Sequence, residues 1–372
     1  MSQEQEDTAL TSDQVLFIGN GRSAVCWYRI ALPACYLGCD WIGVDENMAL
    51  GTGIVRGCTQ MPNFDDYKVI VWQQPRSQAA RQLIKRFRAE GKIVIIDCDD
   101  YLESVRKSKD HDFRSEKAFS KKEMDNWART MNMVDGVIVS TEWLAKKYAP
   151  LNKNIWVCKN GLDLGRYDKD RAAHPGVNIG WAGATGHSIA FGAVFDALER
   201  IMKEFPYVNF ISIGQPFANE LVARGIDQNR LIAIPWTSIE LYPNPMTMFD
   251  VALAPARESN WYRAKSQLRH YEAAAVGAAT VGTSWLYDEI VDGVTGLLVE
   301  ENTADAWYEK LKVMVTDHQA RMKMQKLSRH MAYEEFDMQN RRLQWMVVLD
   351  DLAHKIKQQK EETNGTLVSA AE

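Results

Sequence analysis

The chain has 372 residues but no CxxC pair and no Cys/His spacing of the kind that holds zinc. Its six cysteines (Cys26, Cys35, Cys39, Cys58, Cys98 and Cys158) therefore read as free thiols of a reducing compartment. None lies beyond residue 158, so the second half has no cysteine at all. There is no run of ~18 apolar residues, which excludes a membrane-spanning helix and any integral membrane association. The opening stretch, MSQEQEDTALTSDQ, is polar and acidic and lacks the shape of a signal peptide, so the expected location is the cytoplasm. Positive charge is not in excess: 44 Lys and Arg against 49 Asp and Glu give a net charge of -5. That excludes a uniformly basic nucleic-acid binder but not a local basic patch. No repeat of 20–50 residues is present, which excludes a solenoid or propeller.

What remains is ordinary for a globular protein, with 46% apolar and 25% charged residues. At ~100–200 residues per domain the length implies two domains. Residues 1–13 read as a disordered lead. The run VLFIGNG then suits a buried parallel strand ending in a glycine loop, and Ser23 to Leu37 suits a helix. DWIGV, KVIVWQ, KIVIID, GVIVS and NIWVCKNG continue the strands, with a helix at Ser77 to Glu90. A polar linker, DKDRAAHPG, follows near residue 170. The alternation restarts with NIGWAG, NFISIG, LIAIP, DVALAP, ATVGT and GLLV. Helices are expected at Ser188–Phe205, Ser266–Val276 and Thr303–Thr316, then one long helix from Arg321 to Lys357 and a frayed tail. The fold class is α/β, with two Rossmann-like domains of parallel sheet facing a cleft. The expected division is 1–170, 171–335, a helix at 336–357 and a tail at 358–372.

Ligands of such sheets bind beyond the carboxyl ends of the strands. The loop GATGHS after NIGWAG is the best phosphate candidate: Gly183, Thr185, Gly186 and His187 let backbone N–H groups come close, and Ser188 can cap the next helix. A plain strand-to-helix turn accounts for it equally well. Gly21 in the first glycine loop is a weaker candidate, because the third glycine of the dinucleotide fingerprint is missing. Lys265 and Glu272 lie seven residues apart near the start of a helix, hence on one face and roughly 10 Å apart. That matches the reach from a diphosphate to a ribose, with Lys neutralising phosphate and Glu accepting from ribose hydroxyls. Against two solvated charges speaks the small-residue run Ala273–Ala275 and Gly277, which indicates a packed helix.

At these residues the sequence resembles the GT-B glycosyltransferases, above all glycosyltransferase family 4. The most specific stretch is KSQLRHYEAAAVGAATVGTSWLYDEIVDGVTGLLV, from Lys265 to Val299, where Glu272, Gly277, Glu289, Asp292, Gly293 and Gly296 match the family pattern. Asn160-Gly161-Leu162-Asp163, GWAGATGH at 180–187 and the early glycine loop followed by Tyr28-Arg29 add to it. The resemblance implies a nucleoside-diphosphate sugar as substrate, no cofactor and no metal. It implies that the second domain binds the donor, with Glu272 at the ribose, Lys265 at the diphosphate, the Gly183–His187 loop near phosphates, and the Pro235–Thr237 loop with Trp236 beside the base; Arg263 and Ser266 complete the donor-binding set. The last helix would cross back to the first domain. One departure is Ala264, where retaining members carry a second Glu; Lys265 and Arg263 are the expected substitutes.

Transfer to a hydroxyl by an inverting route needs a base. Asp97, Asp99 and Asp100 end KIVIIDCDD, with Asp99 or Asp100 as the expected base; the trio also suits a metal or a helix cap. His111 is a second candidate. Residues 76–129 hold 14 Lys and Arg against 10 Asp and Glu, interspersed with aromatics. The acceptor expected is therefore a saccharide or, alternatively, modified bases of duplex DNA, as for phage enzymes acting in a host cytoplasm. A third reading is a non-catalytic protein that binds nucleotide sugars.

Overall fold

The computed structural model describes residues 10–21, 23–44, 62–107, 120–183 and 188–369. Its chain falls into two compact units: 1–100 with 120–161 and 338–372, and 101–119 with 162–337. The unit boundaries thus lie at 161/162 and 337/338, against 170 and 335 from the sequence.

The first unit is a parallel sheet of β1 (Val15–Asn20), β2 (Asp40–Val44), β3 (Val69–Gln73), β4 (Ile93–Cys98), β5 (Gly136–Val139) and β6 (Ile155–Val157), in the order β2-β1-β3-β4-β5-β6. Every apolar run expected as a strand forms one. β3 and β4 are buried along their whole length, as strands covered on both faces must be, whereas the edge strand β6 is half-buried throughout. The helix expected from Ser23 to Leu37 is interrupted by a π turn at Trp27–Ala31, whose Leu32 N–H reaches back to Trp27 O. Pro33 follows, and its missing N–H leaves the Arg29 carbonyl without an α-helical partner. The turn carries Arg29 into the interior, at 1% exposure.

The second unit repeats the architecture with β7 (Val177–Gly183), β8 (Val208–Gly214), β9 (Leu231–Ile234), β10 (Val251–Ala254), β11 (Ala279–Thr283) and β12 (Gly296–Val299), in the order β12-β11-β10-β7-β8-β9. Strands β7 to β9 run outward on one side and β10 to β12 on the other, the doubly wound order of a dinucleotide fold. Its core packs Trp181, Phe191, Phe210, Phe217 and Trp307 against the sheet.

Two helical expectations are corrected. The Ser188–Phe205 helix starts as a 3-10 turn, Ser188–Phe191, and the α-helix spans Gly192–Glu204 with Phe191 at its N-cap position. The long helix from Arg321 is two helices, His318–Met331 and Met338–Ser369, separated by a π turn and an extended Asp337 (φ -62°, ψ 132°). The break has a cause: the Phe336 carbonyl accepts the Leu162 N–H at 2.7 Å, and Leu162 bridges Asp337 as in a parallel ladder. The backbone there is drawn into a strand-like pair and cannot continue the helix. The last helix joins the first unit, where Trp156 Nε1 donates to Asp351 at 2.8 Å, Lys159 N–H donates to Gln344 at 2.7 Å, and Trp345 packs on Phe17. It continues past Gln358 to Ser369.

Candidate functional site

In the second sheet the chain reverses direction between β7 and β10, so the loops after Gly183 and Ala254 flank the crevice where ligands of this topology bind. After β10 the short helix Asn260–Ala264 carries Arg263, Lys265 and Ser266 follow it, and the helix Leu268–Ala275 carries Glu272. Thr185, Gly186 and His187 lie outside the described residues.

Gly183 ends β7 in crowded surroundings. A Cβ there would sit 2.7 Å from the Trp181 ring and 3.0 Å from Arg269 Nη2. Beside it Gly214, at φ +89°, has space for no side chain: a Cβ would fall 2.5 Å from Gly183 O and 2.9 Å from the Trp236 ring. Trp236 therefore lies at the ends of β7 and β8, and at 54% exposure it is not the buried strand-end Trp that is the commoner case.

Glu272 is 6% exposed, with Tyr167 Oη donating to one oxygen at 3.5 Å and Tyr242 Oη to the other at 3.4 Å. Burial first, and the Glu272 charge second, push the Tyr242 hydroxyl well above its usual pKa, so it stays a proton donor. Three cations in the stretch before Glu272 each lie on an indole: Lys265 Nζ is 3.6 Å from the Trp261 ring centroid, the Arg263 guanidinium 5.6 Å from Trp285, and the Arg269 guanidinium 5.5 Å from Trp181. Arg263 is exposed and also pairs with Glu258. Ala264 is fully buried, so the position of the absent second Glu is a packed apolar one. The expected helical spacing of Lys265 and Glu272 is corrected. Lys265 is extended (φ -72°, ψ 143°) and precedes the helix, because Gln267 is tied to Asp288 at 2.5 Å and to the Glu289 N–H at 3.1 Å.

In the first sheet the reversal lies between β1 and β3. Gly21, assigned above to donor binding, sits at the end of β1 in the first unit, at φ +62° with open space where a Cβ would be. Asn20 N–H donates to Gln73 at 2.8 Å. Gln74, at φ 40°, is the one described non-glycine residue with positive φ; its N–H donates to Asp97 O, and its amide donates to Asp99 at 3.0 Å. Asp97 is fully buried and bound by Arg29 at 2.6 Å; burial raises its pKa and the Arg29 charge opposes the shift. Arg29 also donates to Cys158 O at 2.5 Å and to Asn160 at 2.9 Å. Asp97 is thus a structural carboxylate, and the Asp97–Asp99–Asp100 trio is no metal site; among the described residues no group of three His, Cys, Asp or Glu side chains is placed to hold a metal ion. Asp99 and Asp100 are half-buried, and His111 lies outside the described residues. Cys26, Cys35, Cys39, Cys98 and Cys158 are free thiols, and burial lifts Cys26, Cys39 and Cys158 to pKa values of about 12.

Sequence reasoning named Arg29 only as part of a matching motif, without a role, and missed Gln74 and the two tyrosines on Glu272. Only Arg29 carried a local signal, a charge inside the apolar stretch AVCWYRIALPAC.

No helix among the described residues is long and apolar enough to cross a membrane. Residues 177–317 match the family model described as glycosyl transferases group 1. No curated protein matches the chain. Among solved structures it is similar to HepE of Anabaena in complex with UDP and glucose, at 15% identity and a TM-score of 0.64 over 91% of this chain and 99% of that one. It is also similar to TarM of S. aureus in a complex containing UDP, at 14% identity and a TM-score of 0.57 over 76% of this chain; the alignment spans only 55% of TarM's length. A glycosyltransferase of Rickettsia africae matches over 93% of this chain and 99% of that one, at 13% identity and a TM-score of 0.63. Two parallel six-stranded Rossmann-like units give this chain the fold of these structures, and its second unit carries the group 1 glycosyl transferase pattern.

Proposed function

We propose that the second unit binds a nucleoside-diphosphate sugar and that the sugar passes to a hydroxyl of a saccharide acceptor. The observation that carries this reading is Glu272, a buried carboxylate presented to two phenols on the helix beside the sheet's reversal point. A buried carboxylate needs hydrogen-bond donors, and a ribose diol supplies two. Lys265 and Arg263 stabilise the diphosphate as the C1–O bond to phosphate breaks and the bond to the acceptor oxygen forms. In the first unit Asp99, oriented by the Gln74 amide, is the proposed base for the acceptor proton; Asp97 is ruled out by its bond to Arg29. The UDP in the HepE and TarM complexes supports a UDP-sugar, and the glucose with HepE a saccharide-type partner.

Duplex DNA as acceptor has no observation in its favour. Within the basic stretch Arg86 pairs with Glu90, Arg88 with Asp135 and Lys121 with Asp125, so part of its charge is met locally. The buried Ala264 is the single observation for a non-catalytic reading.

The test is a thermal-shift screen against UDP-, GDP-, ADP- and dTDP-sugars, followed by release of nucleoside diphosphate with the stabilising donor. Stabilisation and release are expected with one donor class, and both are expected to fall with Lys265→Ala and Glu272→Ala. Stabilisation without release, with any acceptor saccharide, would favour the non-catalytic reading.

A further inference from the structure

We propose that the outer face of the last helix, around Met346, is the contact of an isologous dimer, on which a second copy of this chain packs antiparallel about a two-fold axis. The inference goes beyond the donor reading and does not depend on it, since every residue it uses belongs to the first unit.

The helix Met338–Ser369 buries Met338, Trp345, Val348 and Leu352. Its opposite face should then be polar. Instead Leu343, Met346 and Val347 are 59%, 43% and 57% exposed. They stand three and four residues apart, hence in one stripe. Beside the stripe lies a groove of about 300 Å³, whose lining includes Leu10, Leu37, Met346 and Leu349. One exposed leucine is ordinary, but three adjoining apolar side chains along a groove form a patch that asks for a partner.

Charge identifies the partner. Arg342, Met346 and Asp350 are spaced four apart, and each step advances about 6 Å along the helix. A cation and an anion thus flank an apolar residue at equal distances. Arg342 Nη1 donates to Tyr36 O at 3.4 Å, and its Nε meets no partner among the described residues. Asp350 is exposed. A two-fold axis beside Met346, perpendicular to the helix, lays Arg342 of each copy on Asp350 of the other and Met346 on Met346. Parallel helices in the same register would set like charges opposite. An anionic membrane would meet the exposed Asp350 and Asp351 as well as arginine. Exposed ion pairs add little affinity but fix register, so the apolar stripe holds the copies together and the charges orient them.

The experiment is sedimentation equilibrium of the full chain over a concentration series, at low and high salt and without nucleotide. Wild type should dimerise, more weakly as salt rises. Val347→Glu buries a charge in the stripe and should weaken the dimer more than about 100-fold. Arg342→Glu sets like charges opposite at both ends and should weaken it by about 10- to 100-fold. Adding Asp350→Arg to Arg342→Glu reverses both charges and should restore most of that loss, which a merely structural role for Arg342 would not allow. Melting temperatures of the variant monomers should stay near that of wild type. A wild type that is monomeric at every concentration overturns the proposal, whether or not it sediments with phosphatidylglycerol vesicles. So does a dimer that Val347→Glu leaves intact, or one that Arg342→Glu weakens and the double reversal does not restore.

Discussion

The two sheets share strand number and direction, yet the carboxyl edges of their strands use charge in opposite ways. In the first unit Arg29 and Asp97 are 1% and 0% exposed, and the guanidinium is spent on Asp97, Cys158 O and Asn160. The pair ties the π turn, β4 and the exit from β6 into one knot, with Trp345 of the last helix 5.1 Å from the guanidinium. In the second unit Lys265, Arg263 and Arg269 lie on indoles, Arg263 also pairing with Glu258, and the buried carboxylate Glu272 faces two phenols. A buried charge closed on its counter-charge is architecture. A charge supported by an aromatic face or a phenol keeps capacity for a ligand.

The largest effect tests the first half of this contrast. Arg29→Ala or Asp97→Ala leaves one charge buried without its partner, at an expected cost of about 3–5 kcal/mol in denaturant unfolding. Replacing both at once, Arg29→Met with Asp97→Leu, should recover most of that loss. If Arg29→Ala alone cost less than about 1 kcal/mol, the pair would be a surface-like contact, and the contrast between the edges would fail.

The second half is tested at Glu272. Substitution to Gln removes a charge-assisted acceptor worth about 1.5–3 kcal/mol toward a ribose diol. UDP affinity should drop while the unfolding midpoint moves far less than for Arg29→Ala. A large stability loss with unchanged UDP affinity would make Glu272 architecture as well.

The sequence and the structure agree on the strands because each was a continuous apolar run, the one pattern that buried parallel sheet demands. The carboxyl ends of the strands were legible too, because strand ends follow from strand positions. What was hidden depended on events between distant segments. The Lys265–Glu272 register assumed a helix from Ser266, whereas Gln267 is captured by Asp288 and Glu289 of the loop between β11 and β12, which delays its start. The break at Asp337 needed Leu162, which no local window contains. Asp97, Asp99 and Asp100 look alike in sequence; only the buried Arg29, drawn inward by a π turn, separates the structural carboxylate from the other two.

A pH experiment sharpens the comparison further. In the second unit His270 is fully buried, with Nδ1 2.9 Å from Thr280, and burial lowers its pKa to about 4 despite an opposing pull from Glu289. The unfolded chain takes up a proton near pH 6.5 that the folded one refuses until about pH 4. Stability from this group is therefore full above pH 6.5 and lost as pH falls through that window, at up to about 1.4 kcal/mol per pH unit. His270→Gln should flatten the dependence of unfolding free energy on pH between 4.5 and 6.5. A slope unchanged by the substitution would place the acid sensitivity elsewhere.

The smallest effect concerns the one indole of the second edge that is more than half in water. Trp181 is fully buried and backs a cation from within the core, whereas Trp236 is 54% exposed with its ring against Gly214. Removing it uncovers little new apolar surface, so Trp236→Ala should leave the melting temperature within a degree or two of wild type. If the ring stacks on the donor base, the same substitution should weaken UDP by about 1 kcal/mol, roughly fivefold, and leave pyrophosphate unaffected. Trp236→Phe should restore most of the difference, since any flat ring offers a face. Equal weakening of UDP and pyrophosphate would instead assign Trp236 to the shape of the Gly183 loop. It would then belong with the architectural aromatics, and the edge would recognise phosphate and ribose without reading the base.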